Sequence, residues 1–104
     1  MYRHISISPK QPNATEDDIN HVMQLIRHLP LEVFDIPMED FYVERSLSTT
    51  GETQGVLMMA LFEDIAHWKR YEADERRKAF TQTLQEYLDF SRVTSAQTAL
   101  EQGF

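Results

Sequence analysis

The chain has 104 residues, 41% hydrophobic and 26% charged, with three glycines and four prolines. That length makes a single domain over 1–104, because two would leave neither enough chain for its own core. Ten basic against seventeen acidic residues give a net charge of −7, the wrong sign for neutralising phosphates, so no nucleic acid and no membrane surface is expected as a partner. The absence of cysteine excludes disulfides, thiolate chemistry and cysteine zinc sites. No apolar run has the length of a signal peptide or a membrane span, and the expected location is cytoplasmic.

Residues 2–8 alternate, with Ile5 and Ile7 on one face and Tyr2, His4 and Ser6 on the other. This predicts a strand with one apolar and one mixed face. Pro9, Pro12 and Asn13 interrupt the pattern. Thr15 with Asp18 three residues on resembles a capping box, and Glu16-Asp17-Asp18 lies where the helix dipole favours negative charge. Ile19, Val22, Met23, Ile26 and Leu29 recur at helical spacing, so a helix burying one stripe follows, and Pro30 stops it.

Residues 31–40 carry apolar side chains without a period. From Phe41 to Leu47 alternation returns, with Phe41, Val43, Arg45 and Leu47 against Tyr42, Glu44 and Ser46. Ser48 to Thr53 is turn chemistry, with Gly51 free to take a positive φ. The run from Val56 to Phe62 then holds no polar residue. Two strands across a glycine-containing loop predict an antiparallel hairpin. Asp64 is a good N-cap for a second helix carrying Ile65, Trp68 and Tyr71. The charge-dense stretch Glu72 to Lys78 predicts a kink, after which Ala79, Phe80, Leu84, Tyr87 and Leu88 continue the helical stripe toward Phe90. Arg92 to Leu100, rich in Val, Thr and Ser, reads as a last strand. The order is β-α-β-β-α-β, a ferredoxin-like α+β fold with an antiparallel sheet.

Both helices of such a fold pack on one sheet face. The wholly apolar run 56–62 calls for burial on both faces, and a second sheet packed face to face is the simplest cover. A homodimer is therefore expected. The competing cover is the chain's own C-terminal tail.

Taken together, the opening Tyr2-Arg3-His4-Ile5, the acidic-capped first helix, the strand-to-helix junction Leu61-Phe62-Glu63-Asp64, the segment Tyr71 through Phe80 and the strand after Leu88-Asp89-Phe90 resemble the stress-responsive A/B-barrel domain family. The resemblance implies a dimeric α+β barrel with a pocket between sheet and helices and His4 facing that pocket; no cofactor is expected. Where the family often carries His-Pro-x-His, this chain reads Asp74-Glu75-Arg76-Arg77. A pocket histidine of the family's polyketide-cyclising members corresponds to Val56. Tyr71 is retained, but Arg77 replaces the base, and a guanidinium cannot accept a proton near neutrality.

The candidate ligand-binding residues are His4, Met58, Trp68, Tyr71 and Arg77, and His4 and Tyr71 are the catalytic candidates if the protein is an enzyme. Each has a plainer reading. His4 can be a buried histidine bonded to a hydroxyl such as that of Tyr71. Trp68, Tyr71, Phe80, Phe62 and Met58 can be ordinary core. Arg76, Arg77 and Lys78 can form a solvated, ion-paired surface with Glu72, Asp74 and Glu75. His67 is expected on the helix surface. No histidine pair has metal-ligand spacing, so no metal is expected. The reading these residues favour is a protein that binds a small apolar or amphipathic molecule between sheet and helices, a binder ahead of an enzyme. The alternatives are a cofactor-free enzyme, of the polyketide-cyclase or antibiotic-biosynthesis-monooxygenase type, and a structural role.

Overall fold

Alternation in the first residues becomes strand β1 (Tyr2–Pro9), and helix α1 (Glu16–Arg27) follows from Thr15. The structure is a computed structural model that describes residues 1–28 and 41–99. The capping box forms as its spacing predicts: Asp18 N donates to Thr15 Oγ1 at 3.1 Å, and Thr15 N donates to Asp18 Oδ2 at 2.9 Å. Ile19, Val22, Met23 and Ile26 are the buried stripe of α1. The expectations placed on Leu29, Pro30 and 31–40 lie outside the described residues.

The hairpin is formed by β2 (Phe41–Leu47) and β3 (Thr53–Phe62), with Gly51 in the turn at a φ of 87°. Its register slips between Ser46 and Leu47, and past that irregularity Leu47 is exposed, although the alternation placed it with Phe41 and Val43. Helix α2 (Ile65–Ala73) starts at Asp64, whose Oδ1 accepts from His67 N at 2.8 Å. The kink predicted in 72–78 is a single residue: Asp74 ends α2 and caps α3 (Glu75–Leu84) by accepting from Arg76 N at 2.8 Å. Helix α3 is shorter than the apolar stripe implied. It stops at Leu84, so Tyr87, Leu88 and Phe90 lie beyond it, and a 3-10 turn (Phe90–Arg92) leads into β4 (Thr94–Ala99).

The four strands form one sheet in the order β2-β3-β1-β4. β3 lies between the parallel β1 and β2 and is antiparallel to both, and β4 is antiparallel to β1. This is the split βαβ arrangement of a ferredoxin-like α+β fold. Pairing of Tyr2, His4, Ser6 and Ser8 with Phe62, Ala60, Met58 and Val56 places all eight on one sheet face. His4, Ser8, Val56, Ala60 and Phe62 are buried there. The mixed face of β1 is thus the inner one, and its apolar face looks outward. Ile7 and Tyr42 are exposed on the outer face, at 37% and 44%, and Ile5, Leu57, Met59 and Leu61 are half-buried.

Close approach of β1 and β3 requires glycine at position 55. A Cβ there would lie 2.1 Å from the Ser8 carbonyl oxygen and 2.9 Å from Pro9 Cα. No helix among the described residues is long and apolar enough to cross a membrane.

Candidate ligand cavity

The inner face of β1 carries small polar side chains where α2 and α3 cross it, so the layers do not fill the space between them. A cavity of about 270 Å³ remains. His4, Ser6 and Ser8 form its floor, with Ser95 of β4 and Val56 and Met58 of β3 beside them. Tyr71 and Glu72 of α2 and Arg77, Phe80, Thr81 and Leu84 of α3 form the roof. Leu88, Phe90 and Val93 close it after α3, and Ile26 of α1 reaches it from the other side.

Charge is concentrated near His4. The ring is buried, and that burial lowers its pKa below the ordinary 6.5, against the pull of Glu72 upward and with a smaller push from Arg77 downward. Gln97 on β4 donates its side-chain amide to His4 Nδ1 at 2.8 Å. With the amide nitrogen facing the ring, Nδ1 is the acceptor and the proton sits on Nε2. The partner is therefore Gln97, where the sequence suggested a hydroxyl such as Tyr71. Tyr71 is itself buried, and its phenol is pushed up to about 12 by that burial, with Arg77 acting against the shift. The Arg77 guanidinium carbon stands 5.5 Å from the centre of the Tyr71 ring, within cation–π range.

The kink at Asp74 decides where the basic residues go. Arg76 pairs with Asp74 at 2.6 Å and Lys78 with Glu75 at 3.5 Å on the exposed side, the solvated surface that the sequence suggested. Arg77 turns the other way. Its Nε and Nη2 donate to the Glu72 carbonyl at 3.3 and 3.0 Å, and its side chain is 22% exposed.

Of the residues singled out in the sequence, His4, Met58, Tyr71 and Arg77 line the cavity, and Trp68 stands behind it. Its ring lies 5.6 Å from those of Tyr2 and His4, and its buried Nε1 has no hydrogen-bond partner among the described residues. Phe62 is fully buried core and also does not line the cavity. His67 is a correction: it is buried, edge-on to Phe62 at 5.1 Å, because the first turn of α2 faces the sheet. Sequence reasoning missed Ser8, Ser95 and Gln97. Ser8 continues the His4–Ser6 alternation and could have been found from it, whereas Ser95 and Gln97 become visible only once β4 is paired with β1.

Comparison with solved structures places this geometry in a known architecture. A protein from Arabidopsis thaliana matches with a TM-score of 0.76 at 14% identity, over 100% of this chain and 99% of that one. A dimeric protein of unknown function and ferredoxin-like fold from Bacteroides fragilis matches at 0.74 and 14% identity, over 95% of each chain. The fold is ferredoxin-like. A candidate antibiotic biosynthesis monooxygenase from Deinococcus radiodurans shares it, at 0.68 and 10% identity over 100% of this chain and 96% of its own. No protein-family model matches the chain, and no curated protein does. At these identities the likeness is one of fold, as the resemblance to A/B-barrel proteins implied.

Proposed function

We propose that this chain is a homodimeric α+β barrel protein of the cytoplasm that holds a small amphipathic molecule between its sheet and the α2–α3 helices. The observation that carries the reading is the cavity of about 270 Å³, which approaches the lower end of the range for small-molecule sites. Its apolar walls and its polar group around His4 suit a ligand with one apolar and one polar end. The outer sheet face supports the dimer: Ile5, Ile7, Leu57, Met59 and Leu61 make an apolar surface that a second sheet can cover. The dimeric Bacteroides fragilis protein of the same fold points the same way.

Native mass spectrometry of gently purified protein tests both parts. The expected result is twice the single-chain mass, with an added mass that leaves on denaturation. A single-chain mass overturns the dimer. Absence of any retained compound, together with no binding in a screen of amphipathic molecules, overturns the ligand reading.

One observation favours a cofactor-free enzyme as a second reading. His4, which burial keeps neutral at pH 7, faces the same cavity as Tyr71, and with Nδ1 engaged by Gln97 its Nε2–H can donate to and polarise a carbonyl of a bound molecule. Turnover of the retained compound that is lost in both His4→Gln and Tyr71→Phe, with ligand still bound and the fold intact, would establish catalysis. Arg77 has no place in such a step as a base.

A further inference from the structure

We propose that Arg77 makes the cavity selective for small hydrophobic monocarboxylates, the carboxylate meeting the guanidinium and the apolar body lying along β1 toward Leu84 and Leu88. This rests on reading the cavity as a ligand site.

Three observations carry it. The first is the state of the guanidinium. Nε and Nη2 are held by the Glu72 carbonyl, and the Tyr71 ring lies beside the group, so the side chain is ordered before any ligand arrives. Nη1 makes no hydrogen bond among the described residues. The Glu72 carboxylate is 3.9 Å from Nη2 and half exposed, a weak pairing that leaves the outer edge of the fork open. A planar fork with two parallel N–H groups matches a carboxylate.

The second is the polarity of the cavity along β1. Glu72 and Arg77 both act on His4, which puts the charged groups at that end. Four residues on, Ser8 pairs with Val56, and Asp89 N donates to the Pro9 carbonyl at 2.8 Å, which brings Leu88 to the far end. His4 to Ser8 covers about 13 Å of strand, so the charged and apolar ends are far enough apart for an extended eight-carbon chain to lie between them.

The third is size. At about 30 Å³ per water in the liquid, a volume of about 270 Å³ holds roughly nine heavy atoms. Charged head, apolar body and this size together define the ligand class.

Isothermal titration of the full chain at pH 7 with two matched pairs tests the proposal: octanoate against octanamide, and 4-ethylbenzoate against 4-ethylbenzamide. Each amide keeps the shape of its acid and removes the charge. At least one acid is expected to bind tenfold or more tighter than its amide. Arg77→Met should erase that difference and leave amide affinity within twofold, and Arg77→Lys, which keeps charge but loses the fork, should fall between. Ser6→Leu, which fills the floor, should weaken acid and amide together and so locates both in the cavity. Acid and amide binding equally to the unaltered chain, or Arg77→Met weakening both members alike, overturns the carboxylate proposal and leaves the cavity reading standing. Failure of all four compounds to bind also overturns the carboxylate proposal, whereas the cavity reading falls only with an empty native mass and a failed screen of amphipathic molecules.

Discussion

The side-chain amide of Gln97 lies 2.8 Å from Nδ1 of His4, so the outermost strand holds the orientation of the histidine on the cavity floor. Residues 93 positions apart in the chain share this bond, and it exists because β4 pairs with β1 in the register that sets Gln97 opposite His4. Replacing Gln97 by Met leaves the Nδ1 acceptor without its donor and is expected to cost about 1 kcal/mol, measured by urea denaturation above pH 7.

Acid should destabilise the protein through His4. Burial lowers its pKa below 6.5, so between the unfolded and folded values the unfolded chain binds more protons. The stability that neutral His4 contributes is complete above about 6.5 and is lost as the pH falls through the folded value. Denaturation profiles of the unaltered chain and His4→Gln should therefore run parallel above that pH and converge below it. Trp68, the one tryptophan, lies 5.6 Å from the His4 ring and gives a second readout. Its emission should be quenched with a midpoint below 6.5, a step that His4→Gln abolishes.

Tyr71 should titrate late. The chain has four tyrosines, and burial pushes this one up to about 12. A phenolate absorbance titration is expected to show one component near that pH, missing in Tyr71→Phe. The sign for stability is opposite to that of His4. Between 10 and 12 the unfolded phenol loses its proton first, so stability falls as the pH rises through this window. Tyr71→Phe should flatten the alkaline limb of the stability curve.

Gly55→Ala should be among the most damaging single substitutions. The added methyl meets backbone atoms of Ser8 and Pro9, which cannot move aside without parting β1 from β3. A loss of roughly 2–4 kcal/mol is expected, read as a drop in the urea midpoint. A change below 0.5 kcal/mol would mean that the two strands have room to separate.

A charge on the outer sheet face should split the proposed dimer and leave the fold intact. Met59 pairs with Ile5 and Tyr42 at the centre of that face. Met59→Glu is expected to halve the mass measured by light scattering with unchanged circular dichroism. Thr15→Ala serves as the contrast: it removes one half of the α1 capping box, costs about 1 kcal/mol and should leave the oligomeric state unchanged.

Most elements of the fold were legible because their signals are local. The Thr15–Asp18 box, the strand from Phe41 to Leu47, the turn at Gly51, the N-cap Asp64 and a break within Glu72 to Lys78 each depend on residues a few positions apart, and each forms as read. Local signals failed where a neighbour in space overrode them. Leu47 leaves the inner face because the ladder slips beside it. His67 is drawn against Phe62, and the stripe through Tyr87 to Phe90 leaves helical geometry once Asp89 bonds to Pro9.

The sequence by itself determined the α+β order, the inward side of α1 and the residue types available to a ligand: one early histidine, a tyrosine and an arginine. Only the tertiary structure decided which of these meet. Periodicity reports which face of an element is apolar but not which layer covers it, so it did not make the polar face of β1 the inner one; the family resemblance implied that, and the helices packed over His4 and Ser8 show it. Composition and periodicity did not separate Arg77 from Arg76 and Lys78; the family resemblance singled out Arg77, and the fold gives the physical reason. One capped kink at Asp74 turns the first toward the cavity and leaves the other two in solvent.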